Sequence, residues 1–128
     1  MLAEAKSNLP LEIAHVLFID IVGYSKLLID DQHDAQQQLS RIVRSTNEFR
    51  VAERDGKLVR LPTGDGMALV FFSNPEAPVQ CATEITKALK NNPTFELRMG
   101  IHSGAVSGVT DVNERSNVAG AGSSLRIN

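Results

Sequence analysis

Apolar and polar positions along the chain divide it into strands and helices in a recognisable order. The run "HVLFIDIVG" (residues 15–23) is apolar on both faces, the pattern of a strand inside a sheet. In "DDQHDAQQQLSRIVRSTNEFRVAERDG", Leu39, Ile42, Val43, Thr46 and Phe49 recur at three- and four-residue spacing among charges and glutamines, which predicts a long helix. Gly56 stands where a left-handed residue would end it. "KLVRLPT" and "GMALVFF" predict two short strands, and "TGDG" between them has tight-turn composition, so the pair reads as a β-hairpin. A second helix follows in "SNPEAPVQCATEITKALKNNP". Ser73 or Asn74 can cap it, Pro75 suits its first turn, and Glu76 complements the positive end of its dipole. Its expected apolar stripe is Val79, Ala82, Ile85 and Leu89, and Asn91, Asn92 and Pro93 end it. "FELRMGIHSG" then sends Phe95, Leu97, Met99 and Ile101 one way and Glu96, Arg98 and His102 the other, a strand with one buried face.

This order predicts an α+β fold: a ferredoxin-like β-α-β-β-α-β sheet with helices on one face and the first and third strands in the middle. Residues 1–12 read as a lead-in and 13–128 as one domain. From Gly104 onward glycine, serine, asparagine and alanine dominate and no closing helix or strand is evident, so the domain is expected to be incomplete at its C-terminus. Composition adds exclusions. A net charge of −2 lacks the basic excess of a general nucleic-acid binder. No apolar run nears the ~20 residues of a membrane helix, and the first residues lack the layout of a signal peptide. One cysteine, Cys81, allows no internal disulfide, fits a reducing cytoplasmic compartment, and falls in a helical core pattern.

The chemistry is concentrated in two aspartates. Asp20 interrupts an otherwise apolar strand, where an unpaired charge costs several kcal/mol. Asp65 lies in the hairpin turn "PTGDGM". With the first and third strands adjacent, that turn can approach the end of the first strand. Two carboxylates brought together repel unless a divalent cation lies between them, and magnesium favours one or two carboxylates plus phosphate oxygens. Gly23, just past the strand, lets backbone amides turn towards a phosphate. Each aspartate also has a plainer reading: Asp65 as turn chemistry, Asp20 as the cap of the next helix.

"LFIDIVGYSKL", "RLPTGDGMALVFF" and "LRMGIHSGAV" together resemble three successive motifs of the class III nucleotidyl cyclases, the adenylate and guanylate cyclase catalytic domain. The resemblance spans residues 13 to 122. It implies that Asp20 and Asp65 are catalytic and hold two magnesium or manganese ions, with the backbone carbonyl of Ile21 as a further ligand. It implies that Val22, Gly23, Tyr24 and Ser25 wrap the triphosphate, beside Gly64. The implied reaction converts ATP, or GTP, to a cyclic nucleotide and pyrophosphate at the interface of a homodimer or heterodimer, through attack of the ribose 3′-oxygen on the α-phosphorus.

The chain departs from that pattern on the base-reading side. Leu61 stands where the family usually has a lysine, and Asn117 where an aspartate is common, so base choice is not legible by the usual rule. After "NVAGAG", the positions of the family's transition-state asparagine and arginine fall, without gaps, on Ser124 and Asn128; a two-residue deletion would let Arg126 serve as the arginine, with the asparagine still absent. Losing such charge stabilisers costs ~10²–10³ in rate each. The chain is therefore expected to be weak or inactive as a cyclase alone, and the alternative is a non-catalytic nucleotide-binding or dimerisation module of a signalling protein. His15, His33 and His102 share no zinc-ligand spacing, and "GAGSSL" lacks the third glycine and the setting of a dinucleotide fingerprint. Arg41, Arg44, Arg50 and Arg54 read as a solvated helix face.

Overall fold

The computed structural model describes residues 11–91 and 95–107. Strand β1 (Leu11–Ile21) leads through a short 3-10 turn, Tyr24–Lys26, into helices α1 (Ile29–Ser45) and α2 (Asn47–Arg54). The hairpin β2 (Leu58–Thr63) and β3 (Gly66–Phe71) follows, then α3 (Glu76–Asn91) and β4 (Leu97–Ser107). The sheet order is β2-β3-β1-β4, all antiparallel, with β1 and β3 central. This is the ferredoxin-like arrangement that the pattern predicts, with the helices packed on one face.

The core lies between that face and the helices. Leu17, Ile19, Leu69 and Phe71 from the central strands meet Leu39 and Val43 of α1, Phe49 and Ala52 of α2, and Cys81 and Ile85 of α3. Burying each large aliphatic or aromatic side chain there contributes about 1.5–3 kcal/mol. The opposite face carries a second buried cluster of smaller residues, Ala14, Val16, Val59, Leu61, Ala68 and Val70, with Val106 at β4. An apolar residue on both sides of β1 is what a central strand requires.

Four local differences from the pattern have physical reasons. The expected single long helix is two, because Thr46 takes an extended conformation between them. Its hydroxyl donates to the Val43 carbonyl at 2.8 Å and accepts from the Phe49 amide at 3.3 Å, so one side chain closes α1 and caps α2. The strands β1 and β4 are longer than their sequence signals, since Leu11–Ala14 pair with Gly104–Ser107 and each supplies the other's ladder. On α3 the buried face is Ala77, Pro78, Cys81 and Ile85, with Ala82 and Leu89 half-buried, while Val79 is 51% exposed. Ile101, expected to face inward on β4, is 46% exposed because on this edge strand it lines an open groove that it shares with Val79, Ala82 and Thr86 of α3.

The caps follow the expected chemistry. The Asn74 side chain accepts from the Glu76 amide at 3.0 Å, and Gly56 takes φ 69° after α2. Among the described residues, no helix is long and apolar enough to cross a membrane.

Candidate functional site

The hairpin register decides where the two aspartates go. Thr63 pairs with Gly66, Gly66 with Asp20, and Asp20 with Arg98, so these four residues form one row across the sheet. The row lies on the face opposite the helices, since Ile19 and Ile21 point into the helix-side core. Gly66 is there for close approach. A Cβ on it would overlap the carbonyl oxygen of Ile19, so only glycine lets β3 lie this near β1. Beyond the hairpin tip, the Ile21 amide donates to the Asp65 carbonyl at 2.8 Å, fastening the turn to the end of β1.

This brings the Asp20 and Asp65 carboxyl groups together. Burial raises the Asp20 pKa, the charge of Asp65 raises it further, and a hydrogen bond between the two side chains adds to that. Arg98 pulls in the other direction without reversing the outcome. Asp20 caps no helix: the residue before the 3-10 turn is Gly23, and neither that turn nor α1 has a side-chain cap. The plainer reading of Asp20 is thereby removed.

The connection after β1 is built for a tight turn. Gly23 takes φ 72°, a left-handed conformation, followed by hydrogen bonds from the Lys26 amide to Gly23 and from the Leu27 amide to Tyr24, both 3.0 Å. The Val22 amide is committed to the Glu96 carbonyl at 3.0 Å, so Gly23, Tyr24 and Ser25 are left to supply the loop's amides. The Tyr24 side chain packs half-buried against the helix-side core, while Ser25 is exposed. Two glutamines of α1 brace the neighbourhood. Gln32 Nε2 donates to the carbonyls of Tyr24 and Leu27 at 3.1 and 3.3 Å, and Gln36 Nε2 donates to that of Gly64 at 3.4 Å.

Of the residues the sequence singled out, Asp20, Ile21, Val22, Gly23, Tyr24, Ser25, Gly64 and Asp65 gather at this end of the sheet. Leu61 is one row further along and buried, in the outer apolar cluster. Asn117, Ser124 and Asn128 lie outside the described residues. Sequence reasoning passed over Arg98, Phe18, Gln32 and Gln36. Phe18 stands next to the aspartate row, 42% exposed, flanked on the neighbouring strands by Ala68 and Gly100. Its signal was available: a phenylalanine two residues before Asp20 shares its face. The glutamines had none, since on a helix surface they look like any solvated position.

Chemically the row offers hard oxygen donors with an excess of negative charge. Among the described residues, no group of three or more His, Cys, Asp or Glu side chains could hold a metal ion. Two carboxylates suit magnesium only with other oxygens, such as substrate phosphates, completing its shell. Asp20, Asp65 and the Ile21 carbonyl fit that donor set.

The chain matches a solved adenylate/guanylate cyclase/hydrolase from Silicibacter pomeroyi with a TM-score of 0.53. The fold is shared with a cyclase. The alignment covers 88% of this chain and 69% of that one at 23% identity, a level that speaks for architecture and leaves the chemistry to this chain's own residues. No family model matches the chain, and no curated protein matches it.

Proposed function

We propose that this domain is a nucleotide-binding and dimerising module with a cyclase fold, taking a nucleoside triphosphate together with magnesium. The observation that carries the reading is the meeting of Asp20 and Asp65 at the end of the central strands, where burial and the charge of Asp65 make Asp20 harder to ionise. Asp20, Asp65 and the Ile21 carbonyl would hold the cation, and the amides of Gly23, Tyr24 and Ser25 would meet the phosphates. Binding is favoured over turnover because Leu61 is buried and apolar where a base-reading lysine would stand, and because serine and asparagine occupy positions 124 and 128.

A second reading keeps catalysis: conversion of ATP or GTP to the cyclic nucleotide, with this chain as the metal-holding half of a dimeric site. Retention of both aspartates favours it. Bound magnesium would there supply charge neutralisation and a lower pKa for the attacking hydroxyl. One experiment tests the site that both readings share, and a second separates them. Calorimetric titration with ATP should show binding that requires magnesium and weakens at least about tenfold in Asp20→Asn and in Asp65→Asn. Equal binding by wild type and both variants refutes the site. Mixing the chain with a cyclase subunit that lacks its own metal aspartates should yield no cyclic nucleotide if the domain is a module. Product formation that Asp20→Ala abolishes would establish the catalytic half-site instead.

A further inference from the structure

A cavity of about 700 Å³ opens on the helix side, behind the loop that follows β1. Its apolar wall is Ile21, Val22, Leu27, Ala35 and Phe95, and its rim carries the carboxylates of Asp31, Asp34 and Glu96. Two features set it apart from ordinary surface. Val22 and Leu27 are 43% and 37% exposed, and the next two residues, Leu28 and Ile29, are 75% and 82% exposed, so the apolar wall continues outward. The rim is also uncompensated: among the described residues the ion pair formed is Arg54–Asp55, at a distance in sequence from all three acids. Asp31 has a partial explanation in the positive end of the α1 dipole. Asp34 lies beyond that first turn, and Glu96 belongs to the approach to β4.

We propose that this groove docks a basic amphipathic helix of a partner protein. Its shape argues for a helix: Asp31, Asp34 or Ala35, and Gln38 recur at helical spacing along α1, a stripe two turns long beside which a second helix can lie, with Leu27 in the extended segment just before α1 closing one end. Charge complementarity sets the partner's chemistry. Apolar side chains enter between Val22, Leu27 and Phe95, and lysines or arginines on either flank meet the three carboxylates. The docked helix touches the backbone that carries the candidate site from behind, because Val22 is tied to Glu96 and Ile21 to Asp65. The docking stands independently of whether a nucleotide binds.

The test uses the whole chain and a synthetic leucine–lysine helix of about four turns, with a scrambled peptide of the same composition and a leucine–glutamate helix as controls. Fluorescence anisotropy should show saturable binding of the leucine–lysine helix and at least about tenfold weaker binding of both controls. The triple variant Asp31→Lys, Asp34→Lys, Glu96→Lys should lose at least about tenfold, as should Leu27→Ser, while Glu53→Lys, Asp55→Lys, Glu76→Lys, with the same change in net charge, should lose less than about twofold. Hydrogen exchange on the wild type should slow at residues 21–38 when the helix binds. No binding, equal loss in both triple variants, equal binding of the scrambled peptide, or displacement by spermine at equal charge would each overturn the proposal.

Discussion

Two pairs of carboxylates face the same problem in this molecule and meet it differently. Burial and the nearby charge of Glu84 raise the pKa of Glu48, just as burial and Asp65 raise that of Asp20. On the helix side the problem is solved within the fold. Glu84, from α3, accepts the Asn47 amide at 2.9 Å and the Glu48 amide at 3.1 Å, placing its charge on the positive end of α2. At the other pair, among the described residues, Arg98 is what opposes the rise at Asp20. One pair is cross-linking; the other has negative charge to spare. That contrast separates a structural acid from a candidate ligand more sharply than burial does.

The contrast can be broken hardest at Gly66. Gly66→Ala drives a methyl group into the Ile19 carbonyl, so β3 must separate from β1 and the aspartates must part. A loss of about 3 kcal/mol or more in urea denaturation is expected, and in any folded fraction the nucleotide binding should go with it. A milder probe is alkaline pH. Burial is the main cause that pushes the Cys81 thiol from 9.0 up to about 11, with the Thr46 hydroxyl pulling back and Glu84 and Glu48 adding to the rise. Because the folded value lies above the unfolded one, the thiol's stabilisation is whole below pH 9 and is lost as pH rises towards 11. Wild type should lose about 2–3 kcal/mol more than Cys81→Ala across that window.

Glu84→Ala sharpens the comparison from the structural side. Two amides at the start of α2 lose their acceptor, which should cost about 1–2 kcal/mol in thermal or urea melts while leaving magnesium-dependent nucleotide binding unchanged. Asp20→Asn should do the reverse. A group with a raised pKa weighs against the fold once it is ionised, so at neutral pH the variant should be as stable as wild type or gain a few tenths of a kcal/mol, solvent screening keeping the effect small. Its binding should suffer nonetheless. A ligand-binding residue whose removal stabilises the protein would mark Asp20 as held in place for function.

Much of this was legible in the sequence, for reasons that show where legibility stops. The strand order follows from periodicity, and Asp20 stood out because a carboxylate in "VLFIDIVG" contradicts its surroundings. The break at Thr46 was hidden because the apolar spacing runs through it unbroken: Thr46 is itself buried, and Phe49 and Ala52 continue the same face. The ends of β1 and β4 were missed because Gly104 and Ala105 carry little strand propensity and are held by pairing with Ala14 and Ile13, about ninety residues away in sequence. Val79 yielded its place to Ala77 and Pro78, since the first turn of α3 dips into the core one position earlier than the stripe suggested. Gly66 read as turn composition, but its need is the nearness of another strand. Glu84 reaches α2 from another helix, so no local capping signature could reveal it.

The most direct test counts manganese, a paramagnetic stand-in for magnesium, by electron paramagnetic resonance in the presence of ATP. Wild type and Glu84→Ala should both immobilise the ion, and Asp20→Asn and Asp65→Asn should each weaken that binding at least about tenfold. If the two aspartate variants hold manganese and ATP as tightly as wild type, the pair at the end of β1 is a neighbourly accident of the hairpin and not a binding site.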